Sequence, residues 1–313
     1  MDYYYSFSSY CKKTFQRKLY RVALDAGMTC PNRDGCIDTR GCIFCDEGGS
    51  GDFAIAYNGQ KLSLEDLKFN HQQAPSGDYI AYFQAYTNTY APIERLEMLF
   101  THALEDDLFA GISIATRADC IHKDTIELLK RLKENYPHKF IWIELGLQTV
   151  KESSAIFIRR GYPLSVFDRC VKELHEINIP VISHVIIGLP NESKEDILNT
   201  IKHINTLKIE GVKLQLLHYL KDTDLGRMYE ENPNAFHILS LEEYTDIIVD
   251  CVGHLDKDIV IHRLTGDGAG NLLLAPLWSK DKRRVLNLIM HKMKVEYIHQ
   301  GSLICDDDNI HVK

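Results

Sequence analysis

The chain has 313 residues, enough to bury a full core, and its 45% hydrophobic and 26% charged residues are ordinary for a globular protein. No apolar run approaches the roughly 20 residues of a membrane span, and the opening segment lacks the basic-then-apolar layout of a secretory leader; a cytoplasmic protein without membrane attachment is expected, with reduced thiols. The nine cysteines are an odd number, which argues against a disulfide framework, and the net charge of −8 disfavours a nucleic-acid partner when taken over the whole chain.

Near the N-terminus Lys12, Lys13, Arg17, Lys18 and Arg21 form a basic cluster. Short β-rich runs then alternate with longer amphipathic segments. The runs predict strands over Tyr20–Leu24, Tyr79–Ala85, Gly111–Ala115, Phe140–Leu145, Val181–Ile187 and Val212–Leu217. Between them, helices are predicted over Ser63–Gln72, Pro92–Glu105, Lys123–Asn135, Leu164–Ile177 and Lys194–Leu207. Ser63 and Ser193 stand at helix starts, Ser193 with Asp196 three residues on, the spacing of an acidic capping box. Such alternation means right-handed βαβ units and a parallel sheet with helices outside. Six strands suit a doubly wound open sheet or an incomplete barrel, and in a barrel the chemistry gathers at the C-terminal strand ends. Polar residues do stand there: Gln84 and Thr87, Thr116 and Arg117, Glu144 and Gln148, His184, then His218. One such residue is ordinary turn chemistry; a succession of strands ending this way points to a shared site.

After about residue 222 the alternation breaks into a loop with weak helix over Asp222–Ser240, a helix over Leu241–Leu255, a short strand over Ile259–His262, a loop at Gly266–Gly270 and a helix over Val285–Met293. Residues 1–222 are read as the core and 223–313 as a C-terminal α/β extension packed on it. The extension carries a second basic cluster: Lys280, Lys282, Arg283, Arg284, His291, Lys292 and Lys294.

Four cysteines, Cys30, Cys36, Cys42 and Cys45, fall within sixteen residues that also hold Gly35 and Gly41. Clustered thiolates hold zinc or an iron–sulfur cluster. Zinc sites usually pair two Cys-x-x-Cys knuckles, and here there is one, Cys42-Ile-Phe-Cys45, so by spacing alone a zinc-stabilised binding module stays open beside a cluster enzyme. The position of this turn after the first strand of an α/β core favours a metal at the catalytic edge of the sheet.

The stretches Leu24-Asp-Ala-Gly-Met-Thr-Cys-Pro-Asn-Arg-Asp-Gly35, Gly41-Cys-Ile-Phe-Cys45, Tyr82-Phe-Gln-Ala-Tyr-Thr-Asn-Thr89, Thr116-Arg-Ala-Asp-Cys120, Glu144-Leu-Gly-Leu-Gln-Thr149, Ser183-His-Val-Ile-Ile-Gly-Leu-Pro190 and Gly211-Val-Lys-Leu-Gln-Leu-Leu-His218 run nearly the length of the chain. In them the sequence resembles the radical S-adenosylmethionine (SAM) enzymes of the YhcC/YtqA group, distantly similar to the radical SAM domain of the Elongator catalytic subunit. The resemblance implies an α/β fold, a partial (β/α)6 TIM-type barrel with a C-terminal α/β extension. It implies a single 4Fe–4S cluster on Cys30, Cys42 and Cys45, with Cys36 no ligand, and an open iron where SAM chelates. It places SAM against Gln84 to Thr87 at the methionyl amino group, Glu144 at the ribose hydroxyls, Arg160 or alternatively Arg117 at the carboxylate, and Gly188 at the adenine, with Gln148 beside them. Lys213, Gln215, His218, His262, Arg263 and Asp267 are then candidates on the substrate side. Reductive cleavage of SAM to a 5′-deoxyadenosyl radical needs an electron donor such as flavodoxin or ferredoxin. The loop Thr265-Gly-Asp267 is similar to the branch associated with the tRNA wobble uridine, acting on carboxymethylaminomethyl-uridine to give the aminomethyl form, so tRNA is the implied partner; a small molecule or a protein is the alternative substrate.

Overall fold

The computed structural model describes residues 3–46, 54–67, 77–266 and 270–304. Its strands are β1 (Tyr20–Asp25), β2 (Ile55–Ala56), β3 (Tyr79–Phe83), β4 (Phe109–Thr116), β5 (Phe140–Gln148), β6 (Val181–Ile187), β7 (Gly211–Leu216), β8 (Tyr219–Leu220), β9 (Val260–Arg263) and β10 (Leu273–Ala275). Its helices are α1 (Phe7–Phe15), α2 (Ile93–Glu105), α3 (Lys123–Asn135), α4 (Glu152–Phe157), α5 (Leu164–Glu176), α6 (Lys194–Leu207), α7 (Asp224–Glu231), α8 (Leu241–His254) and α9 (Lys282–Val295). Eight strands form one open, mostly parallel sheet in the order β2-β1-β3-β4-β5-β6-β7-β9, and β10 pairs antiparallel with β8. All six core strands expected from the sequence are present, the short strand expected over Ile259–His262 is β9 at one edge, and only β2 at the other edge is added. Of the helix predicted over Ser63–Gln72, residues 64–67 form a turn closed by reciprocal Ser63–Asp66 hydrogen bonds, and residues 68–72 lie outside the described residues.

The chain divides into two compact units, one of Cys11–Gly146 and Arg159–Ile182, the other of Met1–Tyr10, Leu147–Ile158 and Ser183–Lys313. In the first, β3 is buried along its whole length, which is why Tyr79–Phe83 shows no polar alternation. The helix α2 buries Leu96, Leu99, Phe100, Ala103 and Leu104, a stripe at three- and four-residue spacing. Phe100 meets Phe83 edge-on at 5.2 Å, and full burial of one such ring is worth about 1.5–3 kcal/mol. Gly111 allows β4 and β5 to pair closely, since a Cβ there would lie 2.3 Å from the Phe140 carbonyl oxygen.

In the second unit the predicted capping box is formed. The Ser193 hydroxyl accepts from the Asp196 amide and the Asp196 carboxylate accepts from the Ser193 amide at 2.8 Å. A second box, Ser240 with Glu243, starts α8. Strand β7 pairs with β9 in parallel, and its register slips between Val212 and Lys213, so that Lys213 stands opposite Arg263 and His262 is the extra residue of a bulge. Among the described residues no helix is long and apolar enough to cross a membrane.

Candidate functional site

The loop after β1 turns back on itself through glycines at positive φ. Gly41 has φ +78, and a Cβ there would lie 3.0 Å from Arg33 Nε. The Gly41 amide donates to the Asn32 carbonyl at 2.7 Å, and the Cys45 amide to the Cys42 carbonyl at 3.0 Å, closing the Cys-x-x-Cys turn. The loop docks on residues 159–161. Asn32 Nδ2 donates to the Arg159 carbonyl at 2.7 Å and to Cys42 Sγ at 3.4 Å, Cys42 Sγ lies 3.6 Å from the same carbonyl, and Arg159 Nη1 donates to the Gly41 carbonyl at 3.3 Å. Arg159 takes φ +58 and Gly161 φ +85, the turn that aims this carbonyl.

Cys30, Cys42 and Cys45 are partly buried and share one electrostatic neighbourhood. Burial pushes the Cys42 thiol up, with Cys30 adding to the shift; burial pushes Cys45 up to about 12, with Cys42 adding. Arg33 is held above its ordinary value in spite of its burial because Cys45 and Cys30 lie close, and it donates to the carbonyls of Cys45 and Asp46. Arg117, half-buried, is held up by Asp119 first and by Cys42 and Cys30 after it. Cys36 differs from these three. It is exposed, and its sulfur accepts from the Tyr90 hydroxyl at 3.0 Å.

This donor set fits an iron–sulfur cluster: sulfurs from one loop, an amide N–H directed at one of them, and two arginines to offset thiolate charge.

The turn after β3 touches the loop. The Thr87 amide donates to the Thr29 carbonyl, and Arg33 lies over the Tyr86 ring at 5.6 Å. Tyr86 takes φ +58 in the Gln84–Thr87 turn. Asn88 donates through Nδ2 to the carbonyls of Ala85 and Ala115, and its buried Oδ1 has no hydrogen-bond partner, as is true of Asn32 Oδ1. Glu144 is buried and accepts from the Ser113 hydroxyl at 2.8 Å. Arg117 spends its fork on Asp119, at 2.9 and 2.8 Å, and donates to the Arg160 carbonyl. Arg160 is buried, its Nε donating to the Tyr162 carbonyl and its guanidinium lying 5.2 Å from the centre of the Tyr162 ring.

In the other unit, Gln148 ends β5 at φ +60 and Gly188 follows β6 at φ +91, where a Cβ would press on Leu239 at 3.0 Å. Lys213 is buried on β7, and Gln215 is half-buried on the same strand. His218 is half-buried just beyond it, with Gly266 closing on its ring. Phe7 lies on the His262 ring at 4.9 Å. Asp267 lies outside the described residues. Sequence reasoning gave no role to Asn32, Arg33, Tyr86, Arg159 or Tyr162; the quoted motifs contain the first three, and nothing in their spacing sets them apart.

An open parallel α/β sheet whose first loop presents three thiols defines a class of cofactor-dependent enzyme folds, and the comparisons name it. The model of the radical SAM superfamily matches residues 34–204, and that of the Radical_SAM C-terminal domain matches residues 209–295. The chain is 38% identical over 300 residues to the uncharacterized protein YtqA of Bacillus subtilis (strain 168), covering 95% of this chain and 92% of YtqA. It is 29% identical over 272 residues to YhcC of Escherichia coli (strain K12), covering 86% and 85%. Among solved structures, Elp3 of the archaeon Methanocaldococcus infernus, with an N-terminal deletion, superposes with a TM-score of 0.66 at 14% identity, covering 91% of this chain and 65% of that one. Coproporphyrinogen III oxidase (HemN) of Escherichia coli superposes at 0.50 with 16% identity, over 78% and 54%. The chain thus spans less than two thirds of these solved structures and most of its curated relatives.

The chain belongs to the radical SAM superfamily and, within it, to the YhcC/YtqA family. The open eight-stranded sheet is consistent with the partial barrel of those enzymes. Its cofactors are a 4Fe–4S cluster and SAM, and an enzyme of this class needs a reductant.

Proposed function

We propose that Cys30, Cys42 and Cys45 ligate the cluster, leaving one iron open to SAM, and that the enzyme modifies the tRNA wobble uridine, converting carboxymethylaminomethyl-uridine to aminomethyl-uridine. The thiol arrangement carries the first part: three sulfurs share one loop and one electrostatic neighbourhood, while Cys36 faces solvent with Tyr90. When bound, the cluster and SAM together supply a 5′-deoxyadenosyl radical for hydrogen abstraction. The chain's own residues prepare the site. Metal binding takes the protons from the thiols, and Arg33 and Arg117 offset the charge that remains. Glu144, held by Ser113, is suited to accept from both ribose hydroxyls. We assign the SAM carboxylate to Arg160, because Arg117 already spends its fork on Asp119. The Gln84–Thr87 turn and Gly188 are assigned the methionyl and adenine ends, with Gln148 beside Gly188, and Lys213, Gln215, His218, His262, Arg263 and Asp267 the substrate side. Residues 1–222 form the catalytic core in this reading, and 223–313 the extension that meets the RNA.

What supports tRNA over a small substrate is α9. Asp281, Arg283, Arg284, Asn287, Leu288 and His291 line a surface depression of about 460 Å³, the Asp281 carboxylate being taken up by the Arg284 amide at 3.0 Å. Neither arginine has an ion-pair partner among the described residues, whereas Lys292 is paired with Asp246 and Glu296. In a chain of net charge −8, a local unpaired basic face is what a phosphate backbone can bind. The test is anaerobic reconstitution with SAM and a reductant, then mass spectrometry of nucleosides from tRNA carrying the precursor. Appearance of the aminomethyl form is expected. An unchanged wobble base, with deoxyadenosine release stimulated by a metabolite instead, would refute the tRNA reading.

A further inference from the structure

Asn32 is 1% exposed and holds two separated parts of the chain together. Its carbonyl accepts from Gly41, next to the second ligand in sequence, and its side-chain amide donates to both Cys42 Sγ and the Arg159 carbonyl. The amide has only one acceptable orientation. Turned over, Oδ1 would face a sulfur and a carbonyl, both acceptors. As placed, Oδ1 is buried without a partner, and Gly161 keeps the space beside it, since a Cβ there would come within 3.1 Å. A buried carbonyl left unmet calls for an explanation; here the two bonds made by Nδ2 supply one. The Cys42 thiol now has the Arg159 carbonyl within reach; as an iron-bound thiolate the sulfur has no proton to give, and the Asn32 N–H becomes its hydrogen-bond donor.

We propose that Asn32 is a positioning residue that tunes the cluster, its neutral N–H on the Cys42 sulfur raising the reduction potential. A donor at a ligand sulfur stabilises the more electron-rich reduced cluster. The proposal rests on Cys42 being a ligand, and the two ideas fail separately. If Cys42→Ala keeps a full cluster, the ligand assignment is wrong. The Asn32 proposal is decided in protein that carries iron. Asn32→Leu removes every side-chain hydrogen bond at similar volume, and Asn32→Asp keeps the shape but turns only acceptors on the sulfur. Both are reconstituted, assayed for iron, and titrated by EPR at controlled potential without SAM. Iron content close to wild type is expected. The Asn32→Leu midpoint should fall by the equivalent of about a tenfold change in the reduced-to-oxidised ratio, about 59 mV for a one-electron couple, and Asn32→Asp should fall further. An iron-loaded variant with the wild-type midpoint overturns the proposal. So does loss of iron from both variants, which would make Asn32 a folding residue only.

Discussion

Replacing Gly161 by alanine tests how tightly the cysteine loop and the 159–161 turn depend on each other. At φ +85 any side chain is strained, at a cost of about 1–2 kcal/mol. The new Cβ would also lie 3.1 Å from Arg117 Nη2, 3.1 Å from Asn32 Oδ1 and 3.3 Å from Ile37 Cγ2. Two of these neighbours are side chains already committed to hydrogen bonds, so crowding adds about 1 kcal/mol. The sum, about 2–3 kcal/mol, corresponds to a fall in Tm of roughly 3–5 °C for a chain of this size. Gly35→Ala is the control: φ is +93, but no atom lies within 4 Å of its Cβ, so only the strain remains. In thermal melts of the metal-free proteins, Gly161→Ala should cost about 1 kcal/mol more than Gly35→Ala, and after reconstitution Gly161→Ala alone should bind less iron. Equal losses in the two variants, together with wild-type iron in Gly161→Ala, would show that the contacts around Gly161 do not shape the cluster loop.

Cys36→Ala should keep the iron and the broad visible absorbance of the reconstituted protein, and Cys45→Ala should lose both; retention by Cys45→Ala together with loss by Cys36→Ala would reverse the ligand assignment. The double charge reversal Arg283→Glu/Arg284→Glu should weaken tRNA binding and flatten the plot of log affinity against log salt by a slope of roughly 2, measured by filter binding, without changing iron content. Ser193→Ala removes the capping hydroxyl of α6 and should destabilise by about 1 kcal/mol, read from denaturant midpoints. Asp196 is held down to about 2 by Lys151 and the Ser193 donors. A carboxylate lowered from 3.8 contributes stability that is complete above that value and is lost as pH falls towards about 2. The stability gap between wild type and Asp196→Asn should therefore be widest above pH 5 and shrink below pH 4, and a gap independent of pH would refute this.

Much of the fold was legible because its signals are local. Val181–Ile187, Lys123–Asn135 and Lys194–Leu207 were read to the residue, since each combines an apolar period with a boundary signal. The strand over Phe140–Leu145 was read short, because Gly146 and Gln148 look like a strand end and only pairing in the sheet carries β5 to Gln148. The helix α1 has a weak signal: Phe7, Tyr10, Cys11 and Phe15 recur at three- and four-residue spacing, but over only nine residues, with Cys11 alone fully buried. The edge strand β2, two residues long, exists through its pairing with Leu24 and Asp25.

For the site, the sequence by itself determined the thiols, their crowding and the strand ends around them, because chemistry of that kind resides in residue type and spacing. Spacing alone left four candidate cysteines and the family resemblance set Cys36 aside; the tertiary structure sets them in different surroundings, three partly buried in one electrostatic neighbourhood and Cys36 turned to solvent with Tyr90. The sequence could not show that Asn32 meets Arg159, 127 residues away, or that Arg117 is committed to Asp119. Those pairings depend on which carbonyl a positive-φ turn aims and which face a loop buries. Only the packing of the folded chain decides that.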